Sequence, residues 1–101
     1  MFVHRDFHPG NLLWDNDRVS GVVDWVASCV GPPEEDVAHC RVNLARQHGQ
    51  PTADRFLDLW LHATGRTDYD PYWDLVDAVS MGGGAPNPEL DAFVAAAAAR
   101  L

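Results

Sequence analysis

The chain has 101 residues, 47% of them hydrophobic and 22% charged, the balance of one ordinary globular domain or part of one. No apolar run approaches the ~18 residues of a membrane span, and Met1-Phe2-Val3-His4 does not open a signal-peptide stretch. A formal net charge of −8 argues against the basic face that nucleic-acid phosphates require, so the expectation is a cytoplasmic protein with no nucleic-acid or membrane partner.

In chain order, Phe2-Val3 is a brief apolar start, and His4 to Asn11 is a polar loop containing the turn dipeptide Pro9-Gly10. Leu12-Leu13-Trp14 reads as a short strand, Asp15-Asn16-Asp17 as a turn, and Val19 to Trp25 as the returning strand of a hairpin. Gly31-Pro32-Pro33 breaks the chain. Glu34, Glu35 and Asp36 then place acids at a helix start, where the helix dipole favours them. Val37, Cys40, Leu44 and Ala45 recur at helical spacing, and Gly49 and Pro51 close this first helix.

Thr52 is the expected cap of a second helix with Phe56, Leu57, Trp60 and Ala63 on its apolar side, ending at Gly65. Asp68-Tyr69-Asp70 reads as an exposed turn. Asp70-Pro71 gives the cap-and-proline start of a third helix whose apolar positions are Tyr72, Leu75, Val76 and Val79. Gly82-Gly83-Gly84 reads as a linker, because no Gly-Lys-Ser/Thr follows to make it a phosphate loop. Asn87-Pro88 repeats the cap signal before an Ala-rich helix that runs to Leu101. Trp14, Trp60 and Trp73 read as core, and Cys29 and Cys40 as buried free thiols, since their spacing fits no zinc pattern. The fold class expected is α+β and mainly helical, a short β-hairpin plus about four helices.

Asp6, Asn11 and Asp24 carry the chemistry. Phosphoryl transfer needs a group to orient and deprotonate an attacking hydroxyl, and hard oxygen ligands for the magnesium on the phosphates. An Asp, an Asn amide oxygen and a second Asp meet that demand. Asp6 and Asn11 lie five apart across a tight turn, and the hairpin returns Asp24 beside them. The rival chemistry is a zinc hydrolase built on His4-x-Asp6-x-His8, whose alternate residues share one face of an extended segment. No later motif completes that ligand set, because His39, His48 and His62 fall on expected helices without ligand spacing.

His4-Arg5-Asp6-Phe7-His8-Pro9-Gly10-Asn11 resembles the H-x-D-x-x-x-x-N catalytic loop of kinases. Its His-Pro-Gly-Asn ending is similar to the aminoglycoside phosphotransferase and choline kinase branch. Val22-Val23-Asp24-Trp25 resembles that branch's metal-binding Asp-Trp segment, and Gly31 to Ala38 its following Gly-x-Pro…Asp-Leu-Ala segment. The resemblance implies the C-terminal lobe of a protein kinase-like fold, with catalytic loop and metal-binding hairpin at 3–26 and a helical part at 34–101. It implies Asp6 as catalytic base, Asn11 and Asp24 as Mg²⁺ ligands, and His8 and Asn11 as contacts to ATP or another nucleoside triphosphate. His4 and Asp36 are implied to hold the loop in place, and Trp25 to pack beneath Asp24. The acceptor implied is a small hydroxyl compound such as an aminoglycoside or amino alcohol.

Two departures qualify the resemblance. Arg5 stands where the branch more often has Gly. The nucleotide-covering lobe with its lysine has no counterpart here, and no lysine occurs anywhere in the chain. The expectation is that a longer protein or a partner chain supplies that lobe, that this stretch alone has little kinase activity, and that its apolar surface at Val3 and Leu12 to Trp14 is left open. The alternative reading is a non-catalytic kinase remnant or binding module.

Overall fold

The computed structural model describes residues 1–81 and 87–101; the Gly82–Gly84 linker reading lies outside the described residues. The hairpin forms where Asn16 and Asp17 both adopt positive φ, 51° and 63°. A two-residue turn of that twist matches the flanking strands, and Asn and Asp tolerate it best after Gly. It joins a strand over Leu12–Asp15 to a second over Arg18–Val22. We number the strands β1 (Phe2–Val3), β2 (Leu12–Asp15), β3 (Arg18–Val22) and β4 (Cys29–Val30). Leu12 pairs with Val22 and Asp15 with Arg18, with a bulge where Trp14 pairs with Val19. The returning strand stops at Val22, three residues short of the expected Trp25.

A second ribbon was not legible in the sequence. β1 pairs antiparallel with β4, Phe2 opposite Val30 and Val3 opposite Cys29. Strands of two residues carry no periodicity, so only the closure of the chain reveals them. Their pairing buries Val3 almost completely, against the expectation that it lies open. Leu13 and Trp14 do remain exposed, and Trp14, at 60% exposure, is not a core residue.

Four helices follow among the described residues: α1 (Glu34–His48), α2 (Gln50–Thr64), α3 (Tyr72–Ser80) and α4 (Pro88–Ala99). Gly49, at φ 92°, separates α1 from α2 in a conformation that L side chains rarely adopt. Helix α2 therefore begins two residues before Thr52, which lies inside its first turn and caps nothing. Helix α3 starts at Tyr72 with Pro71 rather than Asp70 at the cap position, and α4 starts as read. The Asp70 carboxylate accepts the Tyr72 amide, and the Asn87 side chain accepts the Leu90 amide at 3.0 Å. Helix α1 is central, packing against each of the other three. The core is Val42, Ala45, Ala53, Ala78 and Phe93, flanked by Leu44, Met81, Leu90 and Val94. Cys29 and Cys40 are free, and only Cys40 is fully buried; its burial pushes the thiol up to about 12.

Helix α3 turns a different face inward from the one its apolar residues suggest. Val79 is 79% exposed and Tyr72 is also exposed, whereas Asp74 and Ala78 are buried. The reason is Arg41 on α1. Its guanidinium is 1% exposed, and Nε and Nη2 both donate to the Asp74 carboxylate at 3.1 Å. Nη1 donates to the Ala53 carbonyl at 2.7 Å, and the group lies between the rings of Tyr69 and Phe93. Tyr69, expected in an exposed turn, is half-buried because its hydroxyl donates to Asp74 at 2.7 Å. Burial and the neighbouring carboxylate push that hydroxyl far above its ordinary range.

Breaking a buried ion pair costs about 3–5 kcal/mol, and without Asp74 the buried Arg41 keeps only a longer contact, 3.4 Å, to the part-exposed Asp54 carboxylate. We expect Asp74→Ala to lower the unfolding free energy by about that much in urea titration, and Tyr69→Phe by about 1 kcal/mol. An Asp74→Ala loss below about 1 kcal/mol would show that Arg41 finds compensation elsewhere.

Candidate active site

The backbone at the start of the loop between β1 and β2 is held by one side chain from α1. The Asp36 carboxylate accepts the backbone amides of His4 at 2.8 Å and Arg5 at 2.7 Å, one oxygen each. Arg5 sits at φ 71°, the left-handed region that costs a Cβ-bearing residue about 1 kcal/mol. That geometry explains why glycine suits this position. The turn at Arg5 takes the chain out of β1 and leaves its amide and that of His4 to find a non-strand partner, which Asp36 supplies.

His4 is buried, and both ring nitrogens are used. The Asp6 amide donates to Nδ1 at 3.0 Å, so the ring proton lies on Nε2, which donates to the Val23 carbonyl at 2.7 Å. No lone pair is left for a metal, which removes His4 from a zinc set. Among the described residues no group of three or more His, Cys, Asp and Glu side chains gathers as a metal cluster. The Trp25 ring covers His4 at a centroid distance of 4.4 Å and stacks on Phe2 at 6.1 Å. Trp25 thus packs over His4 rather than beneath Asp24, with its indole N–H donating to the Val22 carbonyl.

Asp6 and Asn11 meet across the short 3₁₀ turn at Pro9–Asn11. The Asn11 amide nitrogen donates to the Asp6 carbonyl at 2.9 Å and to Asp6 Oδ2 at 3.1 Å. Both partners are acceptors, so Nδ2 faces them and Oδ1 is turned away, free to accept a cation. His8 caps the turn. The Gly10 amide donates to His8 Nδ1 at 3.1 Å, which leaves the ring proton on Nε2, 3.5 Å from Asp6 Oδ1.

Asp24 is connected to this pair through the backbone. The Val23 amide donates to the Asn11 carbonyl at 2.9 Å, and the Val23 carbonyl accepts from His4. Val23 is pinned on both sides, and the next residue, Asp24, turns at φ 63° with an exposed side chain. No direct side-chain contact joins Asp24 to Asp6 or Asn11. The three are brought to one end of the hairpin, two of them in hydrogen-bond contact.

Sequence reasoning passed over His39. It stands on α1, with Nε2 3.1 Å from Asp6 Oδ1 and Nδ1 3.1 Å from Asp77 Oδ1 on α3. The hydrogen bond to Asp77 raises its pKa above the ordinary 6.5; burial opposes this, and Asp77 and Asp6 add to it electrostatically. Only its place two residues past the Asp36-Val37 helix start could have singled it out, since a lone His on a helix carries no spacing signal. A cavity of about 250 Å³ opens beside it, lined by Arg5, Glu35, His39, Trp73, Asp77 and Ser80 among others.

The oxygen set of Asn11 and Asp24 suits magnesium, a hard cation that usually takes one or two protein ligands and keeps its waters. Compared with known families, residues 1–72 match the model of the phosphotransferase enzyme family. No curated protein and no solved structure matches the chain.

Two outcomes follow from these contacts. Asp36→Ala leaves two backbone amides without their charged acceptor, and we expect it to cost about 2–4 kcal/mol and to speed hydrogen exchange at His4 and Arg5. Because the folded His39 binds its proton more tightly than an unfolded histidine, its contribution is complete below about pH 6.5 and is lost as pH rises through the folded pKa. Thermal melts should therefore show His39→Gln losing stability relative to wild type at pH 6 and less so at pH 9; an identical difference at both would rule this out.

Proposed function

The chain belongs to the phosphotransferase enzyme family, and on that premise we propose that it carries the catalytic loop and metal-binding hairpin of a kinase acting on a small hydroxyl compound, with ATP as the donor. The observation that supports this most is the Asp6–Asn11 contact, which presents a carboxylate and a free amide oxygen at one end of the hairpin. Asp6 is the base. Its Oδ2 is held by Asn11 and its Oδ1 lies against His39 and His8, so the carboxylate is fixed before an acceptor arrives. Asn11 Oδ1 and the exposed Asp24 carboxylate are the oxygens that would hold magnesium.

When bound, the magnesium nucleotide supplies the transferable phosphoryl group and spreads its developing charge. The chain's own task is positioning. Asp6 orients the acceptor hydroxyl and takes its proton at a carboxylate oxygen as the acceptor oxygen bonds to phosphorus and the phosphorus–oxygen bond to the departing nucleoside diphosphate breaks. His8, with its Nε2 proton near Asp6, is placed to donate to a phosphate oxygen. All seven cationic Lys/Arg positions are Arg, so any further positive charge this chain offers the phosphates is a guanidinium or an imidazolium.

Magnesium titrations in the presence of ATP test the reading. We expect nucleotide binding that requires the metal, and Asn11→Ala and Asp24→Ala each to raise the metal concentration needed by at least about tenfold. Asp6→Asn should leave that binding intact and reduce by about 10²–10⁴ the phosphoryl transfer measured with the nucleotide-covering lobe supplied. Nucleotide binding that is absent, or indifferent to metal and to these residues, would instead favour a non-catalytic remnant or binding module.

A further inference from the structure

We propose that His39 is a positioning residue that links the carboxylate of Asp77 to that of Asp6, so that helix α3 sets the orientation of the base. The inference rests on reading Asp6 as the base, and it deepens that reading by adding two residues outside the loop.

The geometry is a line of three groups from three parts of the chain. Asp77 on α3 faces His39 Nδ1 with both oxygens, at 3.1 and 3.3 Å. His39 on α1 faces Asp6 Oδ1 with Nε2, at 3.1 Å. Both flanking groups are acceptors. A neutral imidazole has one N–H and one lone pair, and would set that lone pair against a carboxylate. The arrangement is satisfied only when both nitrogens carry protons, which makes His39 a cation between two anions.

The other groups around Asp6 fit this assignment. Oδ2 is occupied by the Asn11 amide. His8 approaches the same Oδ1 from the loop at the longer distance of 3.5 Å, its ring 5.9 Å from that of His39 and its Nδ1 accepting the Gly10 amide. Arg5 and Glu35, which line the cavity next to His39, lie within 3.8 Å of one another as an ion pair. His39 is thus the charged group in hydrogen-bond contact with the Asp6 carboxylate.

Two consequences bear on transfer. A cation held against Asp6 offsets the repulsion between that carboxylate and an incoming polyphosphate, in a site partly screened from water. It also fixes one rotamer of Asp6, as a base must be fixed to lie within hydrogen-bond reach of its proton. Asp77 and His39 line the cavity beside the loop together with Trp73 and Ser80. A molecule entering there meets the relay directly, and a displacement of α3 reaches the base through it.

Nuclear magnetic resonance on the whole chain tests this without turnover, so its failure and the failure of the phosphotransferase reading show separately. In wild type, both His39 ring nitrogens should give imidazolium signals at pH 7. Asp77→Asn and Asp6→Asn should each shift the His39 titration to lower pH. The side-chain couplings of Asp6 should report one rotamer in wild type and averaging in Asp77→Asn, although Asp77 does not touch Asp6. His39→Gln, which keeps a donor for only one of the two carboxylates, should give the same averaging and serves if Asp77→Asn fails to fold. A neutral His39 at pH 7 in wild type, or Asp6 couplings unmoved in both variants, would overturn the proposal.

Discussion

One carboxylate ties the loop to the helices. Asp36, in the first turn of α1, takes the amides of His4 and Arg5, and most of the site's geometry descends from that contact. The left-handed turn at Arg5 would otherwise strand two amides at the edge of a two-residue ribbon too short to hold itself. With the amides held, His4 is placed to span from the Asp6 amide to the Val23 carbonyl. Val23 in turn reaches Asn11. A helix start, a loop and a hairpin end are thereby fixed to one another through a chain of hydrogen bonds whose donors and acceptors are all used.

The helical half is organised around charge as much as around apolar area. Its core is rich in alanine, which lets helices approach closely but buries little surface per residue. Arg41 fills the space between α1, α2 and α3, with Asp74, the Ala53 carbonyl and two aromatic faces around it. Desolvating such a pair contributes little net stability, yet it forbids arrangements in which either charge is left alone. That constraint fixes how α3 is rotated against α1, and this rotation is what brings Asp77 to His39.

The two polar systems therefore act at different depths on the same helices. Arg41 and Asp74 set the packing of α3, while His39, two residues before Arg41 on α1, and Asp77, three residues after Asp74 on α3, carry that packing to the surface of the loop. The second depends on a titrating imidazole, and the loop's Asp6 carboxylate is attached to it.

The sequence by itself determined the local features: the loop with Asp6, His8 and Asn11, the hairpin turn, the breaks at Gly31 and Gly49, the cap at Asn87, and family membership through residues 1–72. Each depends on residues close together in the chain, where turn chemistry, capping and motif spacing act directly. Tertiary structure alone decided the β1–β4 ribbon, the inward face of α3, the burial of Tyr69 and the place of His39. These depend on partners more than 25 residues away or, for Tyr69 and α3, on an arginine brought in from another helix. Hydrophobic periodicity ranks Val79 above Asp74 for burial. A buried guanidinium reverses that order, because leaving it without a counter-charge costs more than leaving a valine in water.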